Sequence, residues 1–156
     1  MKIRLIAIGT RMPGWVQQGC REYSARLGRE WGFELLQVPL ARRSKSVPVA
    51  RCVEQEGEAL LAHADGQDLR VSLCVEGSLI DTAGLAARLD ELRQEAINLS
   101  LFIGGPDGIS ERCREQCQET WSLGRVTLPH PLVRVIMVEQ LYRASCILQG
   151  HPYHRE

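Results

Sequence analysis

The sequence predicts a single α/β domain whose mostly parallel sheet is covered by helices on both faces. The chain has 156 residues, close to the ~150 residues of a typical domain. Short apolar segments typical of buried strands alternate along it with segments of helical periodicity. Neither an internal repeat nor a low-complexity linker divides the chain. Because such alternation is typical of a parallel sheet, we expect one domain over residues 1–156.

The first predicted elements are two strands around a helix. Residues 2–9 are mostly Ile, Leu and Ala and end at a glycine, which is typical of a buried strand. Pro13 suits the first turn of a helix that we expect to continue to about residue 31. The apolar run 33–38 predicts a second strand, which ends because Pro39 lacks the N–H that a strand needs.

A loop, a helix and a third strand follow. Residues 41–48 have no apolar period and carry three basic side chains, so we expect an exposed basic loop. Helical periodicity predicts a second helix over residues 49–64. The apolar residues of segment 69–76 predict the third strand.

The second half of the chain continues the alternation. Asp81 or Thr82 can cap a helix that reaches about residue 96, with leucines at helical spacing. The remaining predicted elements are strand 98–103, turn 104–108, helix 110–119, strand 125–128 and a final helix from residue 131. Ligands of parallel α/β sheets bind beyond the carboxyl ends of strands, so we expect a site in the loops after the third, fourth and fifth strands.

The final helix is apolar on more than one side. One stripe at helical spacing contains Val133, Met137, Leu141, Ala144 and Leu148. Further apolar residues lie off this stripe, namely Leu132, Val135, Ile136 and Ile147. Such a helix must be buried on more than one side. We expect one face to cover the sheet and the other to pack on a second copy of the chain in an isologous homodimer, the alternative being a central helix of a monomer.

Charge is unevenly distributed along the chain. The formal net charge is zero, but residues 1–51 hold ten basic and three acidic side chains. Residues 52–119 hold five basic and fourteen acidic side chains. Seventeen of the 19 basic residues are arginine, whose planar guanidinium suits phosphate. A basic surface for nucleic acid and solvated helix faces both explain this pattern. The candidates for phosphate contacts are Arg4, Arg11, Arg42, Arg43 and Lys45.

Membrane and secretory signals are missing from the sequence. No apolar run approaches the ~18 residues of a transmembrane helix, and the N-terminal run is too short and interrupted for a signal peptide. We therefore expect a cytoplasmic protein whose six cysteines are reduced thiols. Cys113 and Cys117 share a helix face, but no C-x-x-C or nearby histidine pair accompanies them, so we expect no metal site.

Two loop segments carry candidate chemistry. The turn G-G-P-D-G, residues 104–108, lets a ligand approach the backbone closely, although a plain strand-to-helix turn has the same sequence features. It matches neither G-x-G-x-x-G nor a P-loop, so binding of NAD or ATP is disfavoured. Two prolines flank His130 and stiffen the loop before the final helix, where His130 is either a cap residue or a catalytic one.

The C-terminal segment G-H-P-Y-H-R-E, residues 150–156, is a third candidate. Its side chains supply a stacking ring, two imidazoles and a cation. A frayed tail without function is the alternative, because terminal residues are often poorly ordered. A zinc site formed by His151 and His154 is a weaker hypothesis, since no third ligand accompanies them.

Taken together, four ordered motifs resemble the ribosomal RNA large subunit methyltransferase H (RlmH) family of the SPOUT superfamily. They are I-G-G-P-D-G, S-L-G-R-V-T-L-P-H-P-L-V-R-V, E-Q-L-Y-R-A and H-P-Y-H-R-E. The opening M-K-I-R-L-I-A-I-G-T-R-M-P-G-W-V and the E-G-E of residues 56–58 are similar too. The resemblance implies a SPOUT methyltransferase fold with a C-terminal deep trefoil knot, a homodimer, and S-adenosylmethionine as methyl donor. It further implies methylation at N3 of a pseudouridine in 23S ribosomal RNA of assembled bacterial ribosomes.

The resemblance also implies the residues of the site. Cofactor contacts fall on Leu73, Gly105, Leu123, Gly124, Arg125, Val126, Thr127 and Leu128. Tyr153, His154 and Arg155 correspond to a tail that completes the active site of the neighbouring protomer. The chain departs from the family at Asp107, where Glu is usual, and at Ser145 and Cys146, where an aromatic residue is expected. Arg125 can reach outward to RNA or toward the cofactor.

The expected mechanism is direct, in-line methyl transfer. N3 of the base must lose its proton, so catalysis consists of positioning and of stabilising a developing uracil anion. We expect Arg155 to stabilise this anion, and Tyr153 and His154 to position the base or relay the proton. Two rivals are a ribosome-associated factor without chemistry and a SPOUT enzyme acting on transfer RNA. The intact motifs favour an enzyme, and the lack of an appended RNA-binding domain favours a substrate presented by a large particle.

Overall fold

Strands and helices alternate along the chain as the periodicity predicts, in a computed structural model that describes residues 1–155. Glu156, the last residue of the predicted domain and of the tail motif, lies outside the described residues. The strands are β1 (Ile3–Ile8), β2 (Phe33–Val38), β3 (Leu69–Leu79), β4 (Leu99–Ile103) and β5 (Glu119–Ser122). The helices are α1 (Gly14–Arg26), α2 (Val49–His63), α3 (Thr82–Gln94), α4 (Glu111–Glu115) and α5 (His130–Leu148).

The strands form one sheet in the order β2-β1-β4-β3-β5, and each of its pairings is parallel. Side chains alternate between its two faces. On one face, Leu5 and Leu101 pack with residues of α1, α3 and α5. On the other, Ile6 and Phe102 pack with Leu60 of α2 and with α4. Helices therefore cover both faces, which confirms the predicted α/β class.

Three predicted boundaries are wrong. The first helix ends at Arg26, five residues early, because a glycine separates it from the short 3-10 helix Arg29–Trp31. The helix predicted over residues 110–119 ends at Glu115. The strand predicted over residues 125–128 is instead β5, which ends at Ser122.

The position of β5 follows from a contact between distant residues rather than from local pattern. β5 pairs with β3, and the hydroxyls of Ser72 and Thr120 lie 2.9 Å apart across that pairing. Trp121 and Ser122 are buried there, whereas Arg125 and Val126 are exposed. The segment predicted as a strand therefore belongs to a loop.

Helix α5 lies against the sheet between α1 and α3. Met137, Val138 and Leu141 are fully buried within the chain. Leu132, Ile136 and Ile147, which lie off the predicted apolar stripe of this helix, are half-buried. The homodimer predicted from this helix stays a prediction, as does the trefoil knot, because strand order and pairing do not describe threading. No helix within residues 1–155 has the length and apolar character to cross a membrane.

Candidate functional site

A cleft of about 800 Å³ lies at the carboxyl ends of β3, β4 and β5. These strands are neighbours in the sheet, so the segments at their ends converge. The walls come from the irregular end of β3, the glycine turn after β4 and the loop between β5 and α5. The loops expected to hold a ligand thus share one cleft, although the third begins after Ser122 rather than after residue 128.

The cleft contains most of the predicted cofactor contacts. Its lining includes Leu73, Gly105, Leu123, Gly124, Val126, Thr127 and Leu128. Arg125 is not among the lining residues. Its guanidinium donates to the carbonyl oxygens of Val75 and Gly77, the latter at 3.1 Å, so Arg125 fastens the loop after β5 to the irregular part of β3.

The glycine turn has a shape that only small residues permit. A Cβ on Gly104 would lie 2.6 Å from the carbonyl carbon and oxygen of Gly108, closer than real Cβ atoms come to backbone. Gly108 has φ +86, in the left-handed region that favours glycine. The Gly108 N–H donates to the Gly105 carbonyl at 3.1 Å and closes the turn. The turn therefore presents backbone, rather than side chains, to the cleft.

His130 lines the cleft at the first residue of α5. Its Nδ1 is buried and has no hydrogen-bond partner within the described residues. Burial lowers the pKa of His130, and the nearby Arg134 guanidinium lowers it further, while Glu56 opposes the shift. The imidazole is consequently neutral at pH 7.

Arg134 is a structural cation that sequence reasoning missed. It is 1% exposed and donates to the carbonyls of Ile8 and Gly9 at 3.0 and 3.2 Å, and to the Gln37 side-chain oxygen at 3.1 Å. It therefore ties the carboxyl ends of β1 and β2 to α5. Burial lowers the pKa of Arg134. The sequence could have indicated this role, because Arg134 is a charged residue inside an apolar helical segment.

The C-terminal tail folds back on the far end of α5. The Tyr153 ring lies 4.6 Å from that of Tyr142 and 4.7 Å from the Arg143 guanidinium, and its hydroxyl donates to Glu139 Oε1 at 3.0 Å. Burial and this hydrogen bond raise the pKa of Tyr153 to about 12. Tyr153 is therefore protonated at neutral pH and is held by its ring and hydroxyl together.

The tail and the cleft of one chain are separate. Glu139, which anchors Tyr153, follows His130 of the cleft by nine residues, or ~13 Å along the helix axis. Tyr153, His154 and Arg155 are not among the residues that line the cleft. His154 is half-buried and Arg155 is exposed. The structure thus brings the predicted cofactor contacts together but places the predicted catalytic residues elsewhere.

The five basic candidates for RNA fall into two groups. Arg11, Arg42 and Lys45 are exposed. Arg4 is 14% exposed, pairs with Asp68 and lies at the amino end of β1, opposite the cleft. Arg43 pairs with two carboxylates. The surroundings of Arg4 and Arg43 argue against a role as free phosphate ligands, because their guanidinium groups are already engaged.

The side chains of the described chain do not form a metal centre. Within residues 1–155, no three His, Cys, Asp or Glu side chains are grouped so as to hold a metal ion. His151, a candidate for zinc, accepts a hydrogen bond from the Tyr153 backbone at 3.2 Å. His151 therefore helps to shape the tail.

The chain matches a known family over nearly its full length. Residues 1–154 match the family model described as "Predicted SPOUT methyltransferase". A protein named ribosomal RNA large subunit methyltransferase H from Saccharophagus degradans is 48% identical over 155 residues, or 99% of this chain and 100% of that protein. Proteins of the same name from Hahella chejuensis and Pseudomonas aeruginosa are each 47% identical, over 100% and 99% of this chain and 100% of their own lengths.

Two solved structures share the fold. A probable methyltransferase from Bordetella pertussis Tohama I has a TM-score of 0.55 and 19% identity, covering 91% of this chain and 95% of its own. A probable methylase family protein from Haemophilus influenzae Rd KW20 has a TM-score of 0.61 and 14% identity. The match covers 99% of this chain and 70% of that protein's chain. At these identities the similarity concerns the fold alone.

Proposed function

We propose a function from one premise, that this chain belongs to the ribosomal RNA large subunit methyltransferase H family of the SPOUT methyltransferases. The proposed reaction is S-adenosylmethionine-dependent methylation at N3 of a pseudouridine in 23S ribosomal RNA of assembled bacterial ribosomes. We place the enzyme in the cytoplasm, where its substrate is found, and infer that it acts as a homodimer.

The cleft fits an adenosyl cofactor. Its volume of about 800 Å³ falls in the range of small-molecule sites, and apolar side chains such as Leu73, Leu123 and Leu128 line it. The crowding around Gly104 shows that the turn is shaped to present backbone, which can hydrogen-bond the edge of a purine. We infer that the backbone of residues 123–128 and of Gly105 holds the adenosine portion. When bound, S-adenosylmethionine supplies an already activated methyl group.

The proposed mechanism divides the work between the cleft and the tail. A donor held in the cleft would present its methyl group in line with N3 of the base, so that the N–C bond would form as the C–S bond breaks and S-adenosylhomocysteine leaves, which is catalysis by positioning. N3 loses its proton as it attacks, and negative charge develops on the uracil ring. Arg155, a permanent cation on the exposed tail, is proposed to stabilise that charge. His154 is proposed to position the base or relay the proton, and Tyr153 to hold the tail in place.

Separation of tail and cleft supports the homodimer. Because Tyr153 is anchored ~13 Å along α5 from the cleft, the tail of one chain serves the cleft of its partner if the two copies pack through α5. The half-buried apolar residues of α5, such as Leu132 and Ile136, provide a face for this contact. An isologous contact then creates two equivalent composite sites.

The proposed RNA contacts are the exposed basic residues Arg11, Arg42 and Lys45. Replacing any one of them with a neutral residue should weaken ribosome binding and reduce its salt dependence, because fewer counterions are then released. A net charge of zero limits indiscriminate binding to polyanions, which suits an enzyme that must select one nucleotide.

The observation that carries this proposal is the convergence of the predicted cofactor contacts on one cleft. The test incubates the protein and methyl-labelled S-adenosylmethionine with ribosomes, free subunits or transfer RNA, followed by nucleoside analysis. We expect label in N3-methylpseudouridine from ribosomes. Label in transfer RNA would favour the rival enzyme, and cofactor binding without label in any RNA would favour a factor that lacks chemistry.

A further inference from the structure

Arg43 of the loop between β2 and α2 is held between two carboxylates. Its guanidinium contacts Glu56 of α2 through both terminal nitrogens, and Nη2 also donates to Asp107 Oδ2 at 2.8 Å. The Arg43 side chain is 26% exposed and that of Glu56 only 2%. The hydrogen bonds to Glu56 and then Asp107 raise the pKa of Arg43. This triad joins three segments that are distant in sequence.

The triad adjoins the glycine turn of the cofactor cleft. Asp107 belongs to that turn, two residues from Gly105, which lines the cleft. A Cβ on Gly105 would lie 3.2 Å from Glu56 Oε2 and 3.3 Å from Leu40 Cδ1. Gly105 of the turn therefore packs closely against the same carboxylate that holds Arg43.

The triad also shapes the basic loop. Glu56 accepts the Ala41 N–H at 2.9 Å, and Arg43 donates to the Ala41 carbonyl at 2.9 Å. Arg43 thus points inward, whereas Arg42 and Lys45 on either side of it are exposed. Fixing Arg43 holds these two neighbouring cations at the surface, where RNA phosphates can reach them.

This arrangement accounts for the E-G-E motif that the proposed reaction leaves unused. Glu56 closes the triad. A Cβ on Gly57 would lie 3.0 Å from Cys113 Cβ, so glycine lets α4 pack closely on α2. Glu58 pairs with Arg112 of α4 at 2.9 Å. Glu56 thus binds the basic loop, while Gly57 and Glu58 hold α2 against α4, the helix that follows the glycine turn.

We propose that Arg43 is a positioning residue that couples the basic loop to the glycine turn, so that cofactor and RNA strengthen each other's binding. The inference rests on the proposed function, because it takes its two ligands from there. A ligand that orders the turn also orders the loop through Arg43, and the converse holds by thermodynamic reciprocity. Arg43 is then a contact within the protein rather than a contact to phosphate.

The test compares neighbouring arginines. S-adenosylmethionine affinity is measured by calorimetry, and ribosome affinity across a salt series with and without the cofactor. We expect Arg43→Met to weaken cofactor binding, to abolish the roughly fivefold gain in ribosome affinity that the cofactor should give the wild type, at the low end of typical coupling, and to leave the salt slope of ribosome binding unchanged. Arg42→Met should do the opposite, keeping cofactor affinity while lowering the salt slope by about 1. Arg51→Met, an exposed arginine of α2, is the control and should change neither quantity.

Variants of Asp107 address the risk that Arg43→Met unfolds the chain by leaving Glu56 unpaired. Asp107→Asn alters an exposed partner, so we expect normal thermal stability, a roughly two- to threefold loss of cofactor affinity and no further gain in ribosome affinity on adding cofactor. Asp107→Glu keeps the carboxylate and should restore both the cofactor affinity and the gain in ribosome affinity on adding cofactor. Unchanged cofactor affinity in Arg43→Met with a reduced salt slope would overturn the inference and make Arg43 a phosphate ligand. A wild-type chain that binds no S-adenosylmethionine would instead overturn the proposed function.

Discussion

The cleft and the C-terminal tail are built in different ways. The cleft is formed where three neighbouring strands end, and the buried Gly104 beside it leaves no room for a side chain. The tail is a short segment attached to α5 through the Tyr153 ring, the Tyr153 hydroxyl and the His151 N–H, which donates to the Cys146 carbonyl at 2.8 Å. No described residue of the tail is among those that line the cleft, and Arg155 of the tail is exposed.

Under the proposed function, this difference divides the work between two surfaces of a small domain. A rigid sheet edge supplies precise positioning for one ligand, but its walls here consist mostly of apolar side chains and backbone. The residues proposed to act on the base lie on another part of the chain. A twofold dimer can bring them together without an additional domain.

The largest expected effect tests whether the tail acts across the dimer. Arg155→Ala should lower the turnover number by ~10²–10³-fold with cofactor affinity unchanged, because it removes the cation that stabilises the uracil anion. Gly104→Val should abolish cofactor binding through its clash with Gly108. Neither homodimer is then active. Mixing equal amounts of the two chains should restore about a quarter of wild-type activity, since half of the dimers combine one intact cleft with one intact tail.

The controls for this experiment follow from the same geometry. If the tail acts within its own chain, each chain of the mixed dimer carries one defect and no activity returns. Melting curves establish whether Gly104→Val is folded. Should it not fold, Thr127→Trp is the alternative, because Thr127 is an exposed residue of the cleft wall. Near-normal turnover by Arg155→Ala alone would remove Arg155 from the mechanism.

A smaller effect is expected from the anchor of the tail. Tyr153→Phe keeps the ring between Tyr142 and Arg143 but loses the bond to Glu139, so we expect a roughly fivefold fall in the turnover number, equivalent to ~1 kcal/mol. Tyr153→Leu removes the ring as well as the hydroxyl, and its turnover number should fall further. Measuring both against pH separates two roles for the hydroxyl. If Tyr153→Phe lowered the turnover number as much as Tyr153→Leu and also changed its pH profile, the hydroxyl would be shown to transfer a proton.

The same contrast explains which features could be predicted from the sequence. β2 coincides with the predicted strand 33–38, an edge strand whose apolar residues and following proline mark it in the sequence although only Val38 is fully buried. The glycine turn is visible for a similar reason, since its backbone geometry requires particular residues. β5 is misplaced by the sequence pattern because its position depends on pairing with β3, some 48 residues away in the Ser72–Thr120 contact.

The site residues follow the same division. Arg43 and Asp107 are 64 residues apart, so composition and spacing could not join them, and the pattern groups Arg43 with its exposed neighbours. Arg134 likewise acts on carbonyls of β1 and the residue after it, more than 120 residues earlier. The cofactor and tail residues follow from a resemblance across the whole chain, which carries information about long-range contacts that periodicity lacks.

The smallest expected effect is a difference in pH response between cleft and tail. Burial lowers the pKa of His130 in the folded chain, so below about pH 6.5 the unfolded chain binds more protons and stability falls as the pH falls. His130→Asn should flatten this decline, measured as the unfolding free energy from about pH 7.5 to 5. His63→Asn, at an exposed position of α2, controls for the loss of a histidine. Tyr153 has its pKa raised instead, to about 12, so the tail should lose stability only in alkali, as the pH rises above about 10. If His130→Asn declined as steeply as the wild type, His130 would have the same pKa in the folded and the unfolded chain, and its burial beside the cleft would not contribute to the pH dependence of stability.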